Sequence, residues 1–496
     1  MHTRRLALLP LAAVLLCAPL VAAAPPGASA LPALRPAVTV GTAGNEPLVR
    51  VGPDGTMYVS ALQHLYVSRD DGQHWTQSPG SLYTTTLQTA TDSSIQVDSR
   101  NRLYMTFDYP YAGTTAVCTS DDHAATMQCN PAVVPGGTDR MWLALKDDTT
   151  SYLVTNEALV QTVLAVSSDR GKTYVPAQTS VTSLNDTGDA PLLVSPKTGA
   201  VVQDVIDNAT NVAATTNFES GPQLLRVFDP AHPGPQTVTH PAPLTAGGSL
   251  PGAAYGTDGM LYVTSEKATR VNGVITHVGV QVARSADDGV HWTVLPEVTG
   301  TTAGTSTFVA LGAGRPGHVG LVYYRSSTAG DPGSVPPTTH WDAVYSETTD
   351  ALDATPQWTT TVVDKDVHIG VICATAGCLG SGRFAGDFLD TTFDNLDRPS
   401  VVWMRNTPGS TTENQIRYTG AVSSPLPAAV AGAATAVGAV GTAPGTTAAG
   451  AGTTPLASSG PALADTGLPV TLPLVAAALL GLGWLARHRS VRRTHR

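Results

Sequence analysis

The 496-residue chain carries 28 basic and 38 acidic residues, with 42% hydrophobic and 13% charged positions. Residues 1–30 and 467–496 hold seven arginines and no acids, so the body between them sets 21 basic against 38 acidic residues, a charge of −17. So negative a body repels phosphate backbones, which excludes nucleic acid and favours neutral glycans or proteins as partners.

The chain opens with a short basic patch to Arg5, an apolar run Leu6 to Ala24 broken by Pro10 and Pro19, and the small residues Ala28, Ser29 and Ala30. This order predicts a cleaved signal peptide over 1–30, with cleavage after Ala24 or Ala30. A folded region of 31–420 follows. In it an apolar stretch, a turn centred on Asp or Gly and a second strand rich in Tyr and Val recur, starting near Glu46, Asp92, Asp139, Asp189, Leu250, Phe308 and Asp387. Alternation around Asp-Gly turns predicts hairpins. Starts about 45 to 80 residues apart match one four-stranded blade each, so the fold class is all-β, a six- or seven-bladed β-propeller, with a pair of β-sandwiches as the other reading.

Three octapeptides share the pattern Ser-x-Asp-x-Gly-x-x-aromatic: Ser68, Asp70, Gly72 and Trp75; Ser167, Asp169, Gly171 and Tyr174; Ser285, Asp287, Gly289 and Trp292. The Asp accepts turn N–H bonds, the Gly permits positive φ and the aromatic buries beside a sheet, so these are hairpin staples. His64, His74 and His291 beside them are expected in solvent. Once the leader is gone four cysteines remain in two close pairs, Cys118 with Cys129 and Cys373 with Cys378, which an exterior setting favours as local disulfides. Neither pair has metal-ligand spacing, and neither a metal nor a cofactor is expected. Gly312, Gly314 and Gly317 imitate a dinucleotide fingerprint but lead into a strand, and Gly171-Lys172-Thr173 imitates a phosphate loop from inside an octapeptide.

From 421 to 462 the chain is almost wholly Ala, Gly, Thr, Pro, Ser and Val, a disordered stalk whose 42 residues, if extended, reach about 130 Å. Leu463, Ala464, Asp465, Thr466 and Gly467 come next, then an uncharged span over 468–486, about 28 Å long as one transmembrane helix, and a basic tail over 487–496 that is held in the cytoplasm. The span is a membrane anchor before any processing.

Pentapeptide, span and basic tail together resemble the cell-wall sorting signal of Gram-positive surface proteins, in the Leu-Ala-x-Thr-Gly variant of class E sortases. The resemblance implies cleavage between Thr466 and Gly467 and linkage to the cell wall; a plain single-pass membrane anchor is the other reading, and either places the body outside the cell. The octapeptides resemble the Asp-box, or bacterial neuraminidase repeat, of the sialidase superfamily, where it is structural and sits on an outer turn of a blade. That resemblance implies a propeller and raises sialidase chemistry: arginines on a substrate carboxylate, a Tyr assisted by a Glu, and an acidic group. The arginine motif of that family is absent, its place reading Glu46-Pro47-Leu48-Val49-Arg50. Segments around Asp139-Arg140-Met141-Trp142 and Gly382-Arg383-Phe384 look like those of secreted sialidase-like proteins. Arg50, Arg140 and Arg383 start inner-strand segments, from which they would point toward a propeller axis, and are the candidate ligand-binding residues, with pairing to Asp139 or Asp387 as their structural use. Tyr418 has the late position that suits a nucleophile. The function expected is a non-catalytic module for an extracellular glycan or protein, with a diverged exo-sialidase-like glycoside hydrolase as the alternative.

Overall fold

The computed structural model describes residues 31–422 apart from 79–91, 110–113, 136, 158–160, 182–185, 208–222, 229–239, 242–243, 245–246, 301–303, 373–387 and 407–413. The leader, the stalk, the Leu463–Gly467 motif, the apolar span and its tail lie outside the described residues, as do Cys373, Cys378 and Arg383. Among the described residues no helix is long and apolar enough to cross a membrane.

Every regular element described is a β-strand, gathered in antiparallel meanders over 47–77, 93–135, 137–181, 186–241, 247–294, 304–369 and 390–420. The meanders 247–294 and 304–369 fuse into one sheet through two parallel pairings, His277 with Gly304 and Val278 with Thr305. The last meander takes its outer strand from the other end of the chain, where Val38 pairs with Tyr418 and Thr39 with Arg417. First strands pack in a ring: Pro47–Val51 on Ser93–Val97, then Gly137–Leu145, Asp186–Val194, Gly247–Tyr255, Gly304–Ala313, Asp390–Phe393 and back to Pro47–Val51. A ring of meanders closed by pairing the chain's ends is a β-propeller. The hairpins read from the sequence are the first two strands of these meanders.

Local sequence explains each hairpin. In the turn after a first strand an aspartate accepts N–H groups further on: Asp54 from Thr56 (2.9 Å), Asp98 from Arg100 and Arg102 (2.9 and 2.8 Å), Asp394 from Leu396 and Arg398 (2.9 Å each). A residue at positive φ completes the turn, Gly55, Asn101 or Asp397. Tyr58, Tyr104, Tyr262, Tyr323, Tyr324, Trp341 and Trp403 are fully buried between neighbouring sheets. Burying a side chain of Leu65 size is worth about 1.5–3 kcal/mol, so the faces between blades, not any single sheet, hold the ring together.

All three octapeptide boxes close the turn from a third to a fourth strand, with one geometry. Ser68, Ser167 and Ser285 donate to Asp70, Asp169 and Asp287 at 2.8–2.9 Å. Each serine oxygen accepts the N–H of Gly72, Gly171 or Gly289 at 2.8–3.0 Å, and each aspartate accepts the N–H four residues on. Gly72 has φ +79°, and a Cβ there would lie 2.2 Å from the Tyr418 ring, so the glycine serves both conformation and close approach. Asp70 shows the electrostatics: against its partial burial, the N–H and imidazole of His74 and the Ser68 hydroxyl hold the carboxyl down to about 2.

Two further boxes escape the sequence pattern. Ser120 donates to Asp122 (2.7 Å) and accepts from Ala124 (2.9 Å), while Asp122 accepts from Thr126 (2.9 Å). Ala124 stands where the glycine belongs, at φ 64°, and Met127 where the aromatic belongs. Cys118 and Cys129, bonded to each other across the paired strands, clamp this box covalently. Removing the clamp with Cys118→Ala and Cys129→Ala lowers unfolding stability by about 2–3 kcal/mol, read from the urea midpoint. The other hidden box runs from Thr348, which hydrogen-bonds Asp350, to Gln357, whose N–H reaches Asp350 at 3.0 Å across a longer turn.

His74 and His291 are exposed, with side chains 86% and 85% accessible. His64 is not: it begins the strand His64–Ser68, is 6% exposed, and burial lowers its pKa. The two-residue turn before it, with Leu62 at φ 52°, is tight enough to start the strand at His64 and turn that ring inward.

Candidate functional site

A propeller offers ligands its axis, where the first strands meet. The meanders are joined to one another by polar side chains on their first, second and third strands. Asp390, on one first strand, accepts from the Val49 N–H (2.9 Å) and the Arg50 guanidinium (2.5 Å) of the next. Arg50 also donates to Gln96 (3.3 Å), and Gln96 donates to the Leu143 carbonyl (3.0 Å) two meanders on. Further round, Gln223 hydrogen-bonds Asp204 and donates to the Thr264 carbonyl (3.4 Å), the Glu266 carboxylate accepts the Phe308 N–H, and the Tyr324 hydroxyl both donates to the Met404 carbonyl (3.0 Å) and accepts its N–H (3.1 Å). These contacts form a belt of hydrogen bonds from blade to blade.

The belt changes the reading of the candidate residues. Arg50 pairs with Asp390, and its side chain is 17% accessible; of the partners expected from the sequence, Asp387 and the side chain of Asp139 lie outside what the structure describes. Burial raises the Asp390 carboxyl above its ordinary value even against Arg50 and the Val49 N–H. Arg140 lies on the first strand Gly137–Leu145, and Arg383 lies outside the described residues. Tyr418 is on a third strand, 3% exposed, its ring 5.2 Å from that of Trp75 under the first Asp-box. It belongs to the outer core rather than the axis. Asp71 and Asp288, beside the box aspartates, hold structure: Asp71 takes Arg35 and Arg398 (3.4 Å), and Asp288 takes Tyr255 (2.7 Å) and Thr198 (2.6 Å).

Sequence reasoning missed the buried carboxyls. Glu266 is 1% exposed, and burial pushes its carboxyl up to about 8 against the Phe308 N–H and Thr307, so it is mostly protonated at neutral pH. Its Oε2 has no hydrogen-bond partner. Asp204 is raised well above the usual carboxylate range by burial, with Gln223 opposing, and its Oδ1 likewise lacks a partner. Both sit in second strands rich in Val, where an isolated acid was the available signal. Next to the turn ahead of the strand Val319–Ser326, His318 lies between Glu347 (2.6 Å) and Asp397 (2.5 Å). The glycines Gly312, Gly314 and Gly317 lead into this strand, not a helix, so no pyrophosphate cradle forms there.

The two ends of the ring differ. Five of the described third strands end in a box, at Ser68, Ser120, Ser167, Ser285 and Thr348, and the third strand Asn414–Gly420 of the closing meander ends where the chain leaves the ring. There the Val422 N–H donates to Ala33 (2.8 Å), the Arg35 N–H donates to Gly420 (2.9 Å), and the Arg35 guanidinium grips Asp71 in the first box. The chain thus enters and leaves at the Asp-box end.

No protein-family model and no curated protein matches the sequence. Among solved structures the chain is similar to YCF48 bound to a D1 peptide, with 12% identity over 79% of this chain and 96% of that one and a TM-score of 0.45. It is also similar to the α-L-arabinofuranosidase of Fusarium graminearum (12% identity, 76% and 97% covered, TM-score 0.41) and to the α-L-arabinanase of Penicillium chrysogenum (12% identity, 69% and 95% covered, TM-score 0.41). The propeller assignment stands on the strand order and the ring of first strands described above.

Proposed function

We propose that this chain is a seven-bladed propeller, exported and held on the outer face of the cell by its C-terminal segment, that binds an extracellular glycan or protein without chemistry. The observation that supports it is the shared point of entrance and exit, which brings both ends of the described chain to one end of the ring and leaves the opposite mouth clear of them. A sorting signal at Leu463–Gly467 would make that tether a bond to the wall; the apolar span alone would make it a membrane anchor. Binding is favoured over catalysis because Arg50 is engaged by Asp390 and Gln96, which keeps it from a substrate carboxylate, and Tyr418 is packed in the outer core, which keeps its hydroxyl from a sugar's anomeric carbon.

The second reading, a glycoside hydrolase, is favoured by one observation, the buried Glu266 whose Oε2 has no hydrogen-bond partner; burial raises its carboxyl in the direction a general acid requires. The full chain, incubated with fluorogenic sialosides, arabinosides and other glycosides, should show no turnover while retaining ligands on glycan or protein arrays. Turnover lost in Glu266→Gln but kept in Arg69→Ala would replace the binding reading with the hydrolase.

A further inference from the structure

A cavity of about 420 Å³ opens at the Asp-box end, between the first box and the hidden one that follows it. Its depth is apolar, formed by the buried Val67 and Ala124, with Ala125 above them. Its rim is polar: Arg69, His74, His123 and Thr76. Arg69 is exposed and makes no ion pair or hydrogen bond among the described residues. The other groups are oriented from behind. His74 Nδ1 is fixed on Asp70 (2.5 Å), which leaves Nε2 outward, and His123 Nδ1 is on the Tyr58 hydroxyl (3.1 Å).

We infer that this cleft is a second binding site, for a neutral sugar residue. Charge argues for neutrality. The cleft is lined by one guanidinium, Arg69, and one carboxylate, Asp70, and the Asp54 carboxylate lies 3.6 Å from His123 Nε2, so an anion would meet two carboxylates for one guanidinium. A metal ion is not served either, since no group of three or more His, Cys, Asp or Glu side chains converges among the described residues. What the cleft offers is an apolar floor ringed by fixed donors and acceptors, which suits a ring bearing hydroxyls on its edge and C–H groups on its face. Its volume falls in the range of roughly 300–1,000 Å³ typical of small-ligand sites, enough for one or two monosaccharides. Only the identity of the ligand in the cell rests on the tethered reading, which would bring the glycan of the wall within reach.

The test is saturation-transfer NMR on the full chain in detergent, with the methyl glycosides of N-acetylglucosamine, galactose and arabinose as probes. Transfer to at least one probe is expected. It should weaken at least tenfold in Arg69→Ala, which removes an exposed side chain, and vanish in Ala125→Trp, which fills the cleft from its exposed edge. Arg270→Ala, in the hairpin at the far end of the ring, should leave it unchanged. Transfer that survives both cleft variants, or that only Arg270→Ala removes, overturns the site. No transfer to any probe does the same, and displacement by glycerol 1-phosphate at equal concentration overturns the neutral class. Loss of surface display, tested separately on cells, would overturn the tether and leave the cleft standing.

Discussion

Asp390→Ala should cost about 3–5 kcal/mol of stability, because it strands the Arg50 guanidinium at the ring's closing seam with its main partner gone. The Val49 N–H loses its acceptor in the same step. Replacing both charges, with Asp390→Leu and Arg50→Leu together, should recover most of the loss, since a buried ion pair exchanged for packed apolar groups is often close to neutral. Urea unfolding of the two single variants and the double variant measures this directly. Equal losses in Asp390→Ala and in the double variant would show that the seam depends on volume rather than charge.

The second large effect is at His318. Burial opposes its charge, but the hydrogen bonds and charges of Glu347 and Asp397 outweigh that and raise the imidazole pKa above its ordinary 6.5. Arg315 also reaches Asp397 (3.0 Å), and the Phe393 ring lies 4.4 Å from the imidazole. With the folded value above the unfolded one, the stabilisation is complete below pH 6.5 and disappears as pH rises through the folded value. His318→Gln should flatten that part of the stability profile. It should also cost about 3–5 kcal/mol at pH 6, because it leaves Glu347, with a side chain 4% accessible, facing a neutral amide. An unchanged pH profile in the variant would place the titration elsewhere.

What the sequence made legible is what lies close along the chain. Asp-Gly and Asp-Asn turns fix hairpins within a dozen residues, which is why the repeats starting near Glu46, Asp92 and Leu250 coincide with paired first and second strands. The boxes at Ser68, Ser167 and Ser285 were legible for the same reason. The box at Ser120 was hidden because the fold tolerates Ala124 at positive φ and has a disulfide to hold the turn; the one at Thr348 was hidden because its spacing is stretched to Gln357. At the axis the sequence said little. Asp390 and Arg50 are 340 positions apart, and no local pattern marks an acid on a second strand, such as Glu266, as one that bridges two blades. A position on an inner strand suggested Arg50 as a ligand contact, whereas its real neighbours were set by the closure of the ring.

That closure also sets an order of events. The strand Val38–Gly41 is made near the start of the chain, and its partner Asn414–Gly420 near the end of the folded region, with Arg417 reaching back 380 positions to Ala37. During synthesis the early strand must therefore wait, with one edge unpaired, while every blade between is made. Joining ends so far apart costs about 5 kcal/mol in chain entropy, which the ladder, the Trp75–Tyr418 contact and the grip of Arg35 on Asp71 must overcome together. Until Asn414–Gly420 is made, the ring stays an open stack of sheets with the edge of Val38–Gly41 unpaired.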